Sequence, residues 1–165
     1  MSHPDGPGPP RLPVEFSAHR GELVVRSAVA GDFDELERLL ALLALEAADP
    51  RPAGRGAFLR TLADRQRLVL VASLGDRLVG TLDLVVVDNA THGGAPWAAV
   101  ENVVVDPGER RRGVARALMD GAVGLARGVG CYKVQLLSDA RRPEAHALYE
   151  AMGFDAPVRG FRRYL

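Results

Sequence analysis

Cysteine is nearly absent from this 165-residue chain, with Cys131 as its one thiol. A single thiol excludes an internal disulfide and a multi-cysteine metal centre. No histidine lies close by in sequence to activate it, so Cys131 reads as a small buried hydrophobe at the start of a core strand and not as a nucleophile. Net charge is lacking as well, because 21 Lys and Arg balance 21 Asp and Glu. A nucleic-acid partner would call for an overall basic balance, and none is expected. No run of about 18 uncharged apolar residues occurs and the first residues contain no apolar signal-peptide core, so the expectation is a cytoplasmic protein with no membrane partner. Also missing are Gly-x4-Gly-Lys-Ser/Thr and a Gly-x-Gly-x-x-Gly after a strand, which disfavours a kinase, a simple NTPase and a dinucleotide oxidoreductase. His92 and His146 have no carboxylate or cysteine spacing around them, so no metal site is expected.

What the chain does contain is apolar material, 47% of its residues, enough for one core and one domain. Proline and glycine crowd the beginning, from Pro4 to Pro13, and residues 1–20 are read as a flexible tail ahead of a domain over 21–165. Leu23-Val24-Val25-Arg26 is a short strand. Asp32 is placed to cap a helix whose Phe33, Leu36, Leu39, Leu40 and Leu43 form an i, i+3, i+4, i+7 stripe. Pro50 and Pro52 break the chain before a second helix over about 56–65. Strands over 68–73 and 78–87 are joined by the hairpin signal Leu74-Gly75-Asp76-Arg77. A strand over 97–105, a helix over about 111–127, a strand over 132–137, a helix near 144–152 and a last strand over 161–164 complete a mixed α/β order. Val114, Leu118, Ala122, Leu125 and Val129 share the face of the long helix that packs on the sheet.

The densest information lies in Val103-Val104-Val105-Asp106-Pro107-Gly108-Glu109-Arg110-Arg111-Arg112-Gly113-Val114-Ala115. An apolar strand runs into a small-residue turn and then into an amphipathic helix. The first turn of a helix offers unpaired N–H groups and the positive end of the helix dipole, so an anion seated there gains several hydrogen bonds at once. Three arginines at that position oppose the dipole, which makes sense once an anion is bound; a solvated basic run is the alternative. Arg110 to Ala115, RRRGVA, fits the pattern Arg/Gln-x-x-Gly-x-Gly/Ala. On these residues the chain resembles the GCN5-related N-acetyltransferases (GNAT), in which this pattern binds the pyrophosphate of acetyl-coenzyme A. Arg26, Ala28 and Asp32 resemble the family's opening, and Leu148-Tyr149-Glu150-x-x-Gly153-Phe154 resembles its second motif. The resemblance spans roughly 23–165.

The resemblance implies a mixed, largely antiparallel sheet flanked by helices, with a splayed, bulged strand leading into the pyrophosphate loop. It implies acetyl-coenzyme A as co-substrate, held by backbone groups of Val103 and Val105 and by the loop residues Arg110, Arg111, Arg112, Gly113, Val114 and Ala115. An alkyl amine has a pKa of about 10 and must lose a proton before it attacks. Glu101, a charge inside an apolar strand, is the candidate base, with a solvated face or a salt bridge as the alternative. Tyr149 is the candidate acid for the departing thiolate, although its helical spacing would equally suit a packing role. Gly130 to Val134 resembles the corresponding strand of glucosamine-phosphate acetyltransferases, and Leu137 to Tyr149 resembles aminoalkylphosphonate acetyltransferases. Both imply a small-molecule primary amine acetylated by direct attack in a ternary complex. A peptide α-amine, or a coenzyme-binding module without turnover, stays open, as does a homodimer through an exposed sheet edge.

Overall fold

Two apolar strings form the centre of the fold: β3 (Arg67–Leu74) and β4 (Arg77–Val87). Leu70, Val71, Ala72, Leu82 and Leu84 are all at 0% exposure. Burial on both sheet faces removes the need for polar alternation, which is why these strands read as nearly continuous apolar runs. Gly75 takes a left-handed backbone (φ 57°) in the short connection between them, as the hairpin signal predicts.

The computed structural model describes residues 12–13, 15–44, 54–156, 160–161 and 163. Six strands make one sheet in the order β1-β2-β3-β4-β5-β6. These are β1 (Ser17–Arg20), β2 (Leu23–Ser27), β3, β4, β5 (Trp97–Val105) and β6 (Val134–Leu136). The pairings from β1 through β5 are all antiparallel. Beside the start of β5, the Tyr132 N–H donates to the Pro96 carbonyl at 2.9 Å and the Ala98 N–H to Lys133 at 3.0 Å. The mixed, largely antiparallel sheet expected from the sequence is thus the observed architecture.

Helices cover both faces. On one, Leu36 and Leu39 of α1 (Phe33–Ala44) and Phe58 of α2 (Arg55–Ala63) pack with Val69, Val71, Leu78 and Val104. On the other, α3 (Val114–Gly128) buries Val114, Leu118, Met119 and Ala122. Ala117 and Ala126 are buried as well, so the packing stripe is wider than the one drawn from periodicity. No helix among the described residues is long and apolar enough to cross a membrane.

Three expectations need correction. The sheet reaches back into the segment read as a tail: Ser17 to Arg20 pair with Leu23 to Arg26, and Leu12 is 7% exposed. Proline density hid this, because β1 is an exposed edge strand with almost no apolar signal of its own. Asp32 does not cap α1 directly. It ends a 3-10 turn (Ala30–Asp32), accepts the Val29 N–H at 2.7 Å and binds Arg26 in a two-pronged ion pair at 2.7 and 2.8 Å. In the last strand expected, over 161–164, Phe161 and Arg163 lie outside any strand, while Arg162 and Tyr164 fall outside the described residues. Residues 1–11 of the expected tail and the break at Pro50 and Pro52 also lie outside them.

The chain divides into two compact units between Gln135 and Leu136. The second contains α4 (Pro143–Ala151). Past its end the Gly153 N–H donates to the Glu150 carbonyl and the Phe154 N–H to the Tyr149 carbonyl, both at 3.0 Å, with Gly153 left-handed (φ 83°). This is a glycine-terminated helix end closed by a contact of the Tyr149 and Phe154 rings, 6.1 Å apart and edge-on.

Candidate active site

The pairing of β4 with β5 carries the first piece of the site. Trp97 to Glu101 pair residue by residue with Val87 to Asp83, and the ladder resumes with Val104 opposite Thr81 and Val105 opposite Gly80. Asn102 and Val103 together face the single Leu82, so β5 contains a β-bulge, as the resemblance implied. Asn102 sits in the left-handed region at φ 54°. The extra residue inverts the strand's alternation: beyond the bulge Val104 joins the core beneath α1.

Glu101 is exposed, directly opposite Asp83, and makes no ion pair among the described residues. The salt-bridge alternative for it therefore receives no support. Asp83 is 7% exposed. Its Oδ2 accepts the Asn102 Nδ2–H at 3.1 Å and lies 3.5 Å from Arg67 Nη1. Burial pushes the Asp83 carboxyl above its ordinary range and the neighbouring Glu101 adds to the rise, while Asn102 and Arg67 pull it back down. The sequence reading missed Asp83. The signal was there: it is a charge inside an apolar strand, the same oddity that singled out Glu101.

The second piece is the loop from Asp106 to Gly113. The sequence reading began the helix near Arg111, but α3 begins at Val114 and the arginine triplet lies in the preceding turn. Two left-handed residues force this: Arg111 at φ 60° and Gly113 at φ 84° cannot belong to an α-helix. The first intrahelical bond is Ala117 N–H to the Gly113 carbonyl, 2.9 Å. The N–H groups of the first turn, beginning with Val114 and Ala115, therefore have no partner inside the helix. Gly113 supplies no side-chain cap, and the first turn holds no acidic residue. A Cβ added to Gly113 would meet nothing within 4 Å, so the space beside that residue is open.

Acidic side chains near the loop are occupied elsewhere. Asp106 accepts from Arg38 at 2.8 Å, from Arg77 at 2.6 Å and from the Gly108 N–H at 3.1 Å. Glu109 pairs with Arg112 at 2.6 Å. Arg110 reaches the Val105 carbonyl through Nε at a long 3.5 Å. Neither Arg110 nor Arg111 makes an ion pair among the described residues, so both guanidinium groups are left to face an anion. Backbone donors without an intrahelical partner, beside uncompensated positive charge, fit a pyrophosphate group.

In the second unit, Tyr149 is half-buried on α4 together with Ala145 and Leu148, as is Met152 just past the helix end. Burial pushes its hydroxyl above the ordinary tyrosine range and Arg142 opposes the rise. The phenol is thus protonated at neutral pH and able to donate. Arg141 grips Asp139 at 2.9 and 2.7 Å, which holds the Asp139 carboxyl far below its usual range and shapes the turn before α4.

A bulged strand runs through a positively charged turn into an uncapped helix, within a mixed α/β sheet flanked by helices. The chain belongs to the acetyltransferase (GNAT) family, whose model matches residues 34–154. The glucosamine 6-phosphate N-acetyltransferase of Trypanosoma brucei brucei is 34% identical over 117 residues, covering 67% of this chain and 78% of that protein. The mycothiol acetyltransferase of Beutenbergia cavernae is 36% identical over 105 residues, 63% of this chain, and the match spans 33% of that longer protein. Among solved structures, a candidate acetyltransferase from Agrobacterium tumefaciens str. C58 is 32% identical and superposes with a TM-score of 0.79, covering 86% of this chain and 99% of that one.

Proposed function

We propose that this protein transfers an acetyl group from acetyl-coenzyme A to the primary amine of a small molecule by direct attack in a ternary complex. The observation that carries the reading is the uncapped start of α3 behind Arg111 and Gly113. Backbone N–H groups from Arg111 to Ala115 hold the pyrophosphate, with Arg110 and Arg112 beside them. At the bulge Val103 drops out of the ladder with β4, and its backbone, together with that of Val105 just beyond the bulge, holds the pantetheine arm and the acetyl carbonyl. Acetyl-coenzyme A supplies an activated thioester carbonyl.

Glu101 takes the proton from the acceptor ammonium, directly or through water, and its exposed, unpaired carboxylate suits that task. The amine nitrogen bonds to the carbonyl carbon, the carbon–sulfur bond breaks, the Tyr149 hydroxyl protonates the departing sulfur, and the proton remaining on the new amide nitrogen leaves to solvent, from which Tyr149 regains its own. The kinship with enzymes named for glucosamine 6-phosphate and mycothiol supports a small, polar amine as acceptor.

Release of free coenzyme A across a panel of amino sugars and their phosphates, aminoalkylphosphonates, polyamines and short peptides tests the reading. Acceleration by one small-amine class is the expected result. Acceleration by peptides alone would overturn the acceptor class, and a silent panel from protein that binds the coenzyme would overturn turnover itself. Tyr149→Phe is expected to lower kcat on the order of 10²-fold or more with acetyl-coenzyme A affinity unchanged. Equal turnover in that variant removes Tyr149 from the mechanism.

A further inference from the structure

We propose that Asp83 is a positioning residue for acyl transfer: through Asn102 it holds β5 in the backbone conformation that creates the bulge. The inference rests on the acetyltransferase reading and takes it one residue deeper. An L residue in left-handed backbone is strained, and asparagine tolerates it when its short amide finds a partner. Asn102 finds that partner across the ladder, on Asp83 Oδ2 at 3.1 Å. In regular antiparallel pairing Asn102 would stand opposite Leu82 and point to the sheet face away from Asp83, because successive residues alternate. The left-handed turn at residue 102 brings the amide round to Asp83. Latch and bulge are therefore one device.

Burial makes the device stiff. Asp83 is 7% exposed and is flanked by Arg67 of β3, so its carboxylate cannot swing to another acceptor role without losing both contacts. Asn102 itself is exposed, so its amide adds little to the core. What the latch fixes is the register downstream: Val104 opposite Thr81, and Val105 opposite Gly80 at the entrance to the loop.

The test compares wild type, Asp83→Ala, Asn102→Gly and the double variant by turnover, by calorimetric affinity for acetyl-coenzyme A and by crystallography. Asp83→Ala is expected to lower kcat on the order of 10²-fold through misplacement of the bulge backbone. Asn102→Gly is expected to stay within a few-fold of wild type, since glycine adopts positive φ unaided. For the same reason the double variant is expected to recover about ten-fold or more over Asp83→Ala. A role confined to packing, or a direct role of Asp83 on the amine, would leave the double variant as poor as the single one and overturn the proposal. So would a crystal structure of Asp83→Ala in which residue 102 keeps its positive φ and the register step. If Asp83→Ala does not fold, Asn102→Val at the exposed position decides, with full activity there overturning the latch. Wild type that binds acetyl-coenzyme A but acetylates no amine would remove the acetyltransferase reading instead, and the crystallographic comparison would still judge the latch.

Discussion

A methyl group placed on Gly80 would sit 2.9 Å from Val114 Cγ1, 3.1 Å from Leu118 Cδ1 and 3.1 Å from the Val104 carbonyl oxygen. Val114 and Leu118 belong to the first turns of α3, so the absence of a side chain at residue 80 lets that helix close on the sheet. Gly80→Ala is expected to destabilise the protein by about 1–3 kcal/mol through overpacking, read as a lower denaturant midpoint with an unchanged slope. Gly113 is different, because its Cβ would meet nothing and only its φ of 84° penalises a side chain. Gly113→Ala should therefore cost only about 1 kcal/mol of stability, while re-aiming the N–H groups and weakening acetyl-coenzyme A binding in a calorimetric titration. Undiminished affinity would remove Gly113 from the seat. Gly113 was legible in the sequence because it stands inside a local pattern. Gly80 was not, since its necessity comes from a helix more than thirty residues downstream. Asp83 was legible in principle, as a charge in an apolar strand, yet its partner Asn102 could be found only from the register.

At the scale of elements, the loop before α3 is tied to two distant parts of the chain by one carboxylate. Asp106 binds Arg38 of α1, Arg77 at the start of β4 and the Gly108 N–H, and its own N–H donates to the Val79 carbonyl at 2.9 Å. Burial disfavours the charged form of Asp106, but the Gly108 N–H and the two guanidinium groups outweigh it, so its carboxyl lies below the ordinary range. Asp32 behaves alike: burial opposes its charge, and Arg26 with the Val29 N–H wins. A carboxyl with a lowered folded-state pKa contributes stability that is present above its unfolded value, about 3.9, and is lost as pH falls through the folded value. Asp106→Asn is expected to cost about 1–3 kcal/mol near neutral pH, and the gap from wild type should close as the pH drops below about 4. A gap independent of pH, measured by denaturant unfolding across that range, would show that the charge of Asp106 is not what holds the loop. The same loop shows what periodicity could and could not place. The apolar stripe of α3 was read from spacing, but its first residue was misplaced by three positions, because left-handed Arg111 and Gly113 leave no hydrophobic trace. The bulge in β5 came from family resemblance, and no pattern in Val100 to Val105 would have located it.

Across the whole molecule the charges cancel, 21 against 21, so on the proposed reading an anionic coenzyme would be drawn by the loop and not by the protein's overall field. Position along the sheet allows the two sources to be separated. Asp64 and Asp88 are exposed beyond the ends of β3 and β4 that lie away from the loop. Asp88 stands eight residues along β4 from Gly80, the partner of Val105, about 25 Å at the rise of an extended strand. That exceeds the Debye length of about 10 Å at 0.1 M salt. Replacing both by asparagine raises the net charge by two without touching the loop. Arg111→Ala lowers it by one and removes a loop guanidinium that makes no ion pair among the described residues. Under a local field, the double aspartate variant keeps the wild-type affinity for acetyl-coenzyme A at 0.1 M salt, and Arg111→Ala binds several-fold more weakly, with the difference shrinking toward 1 M salt as screening reaches about 3 Å. Tighter binding by the charge-raised variant, comparable in size to the loss in Arg111→Ala, would show that the coenzyme is drawn by the summed charge, and that the uncapped start of α3 is a bystander to recognition.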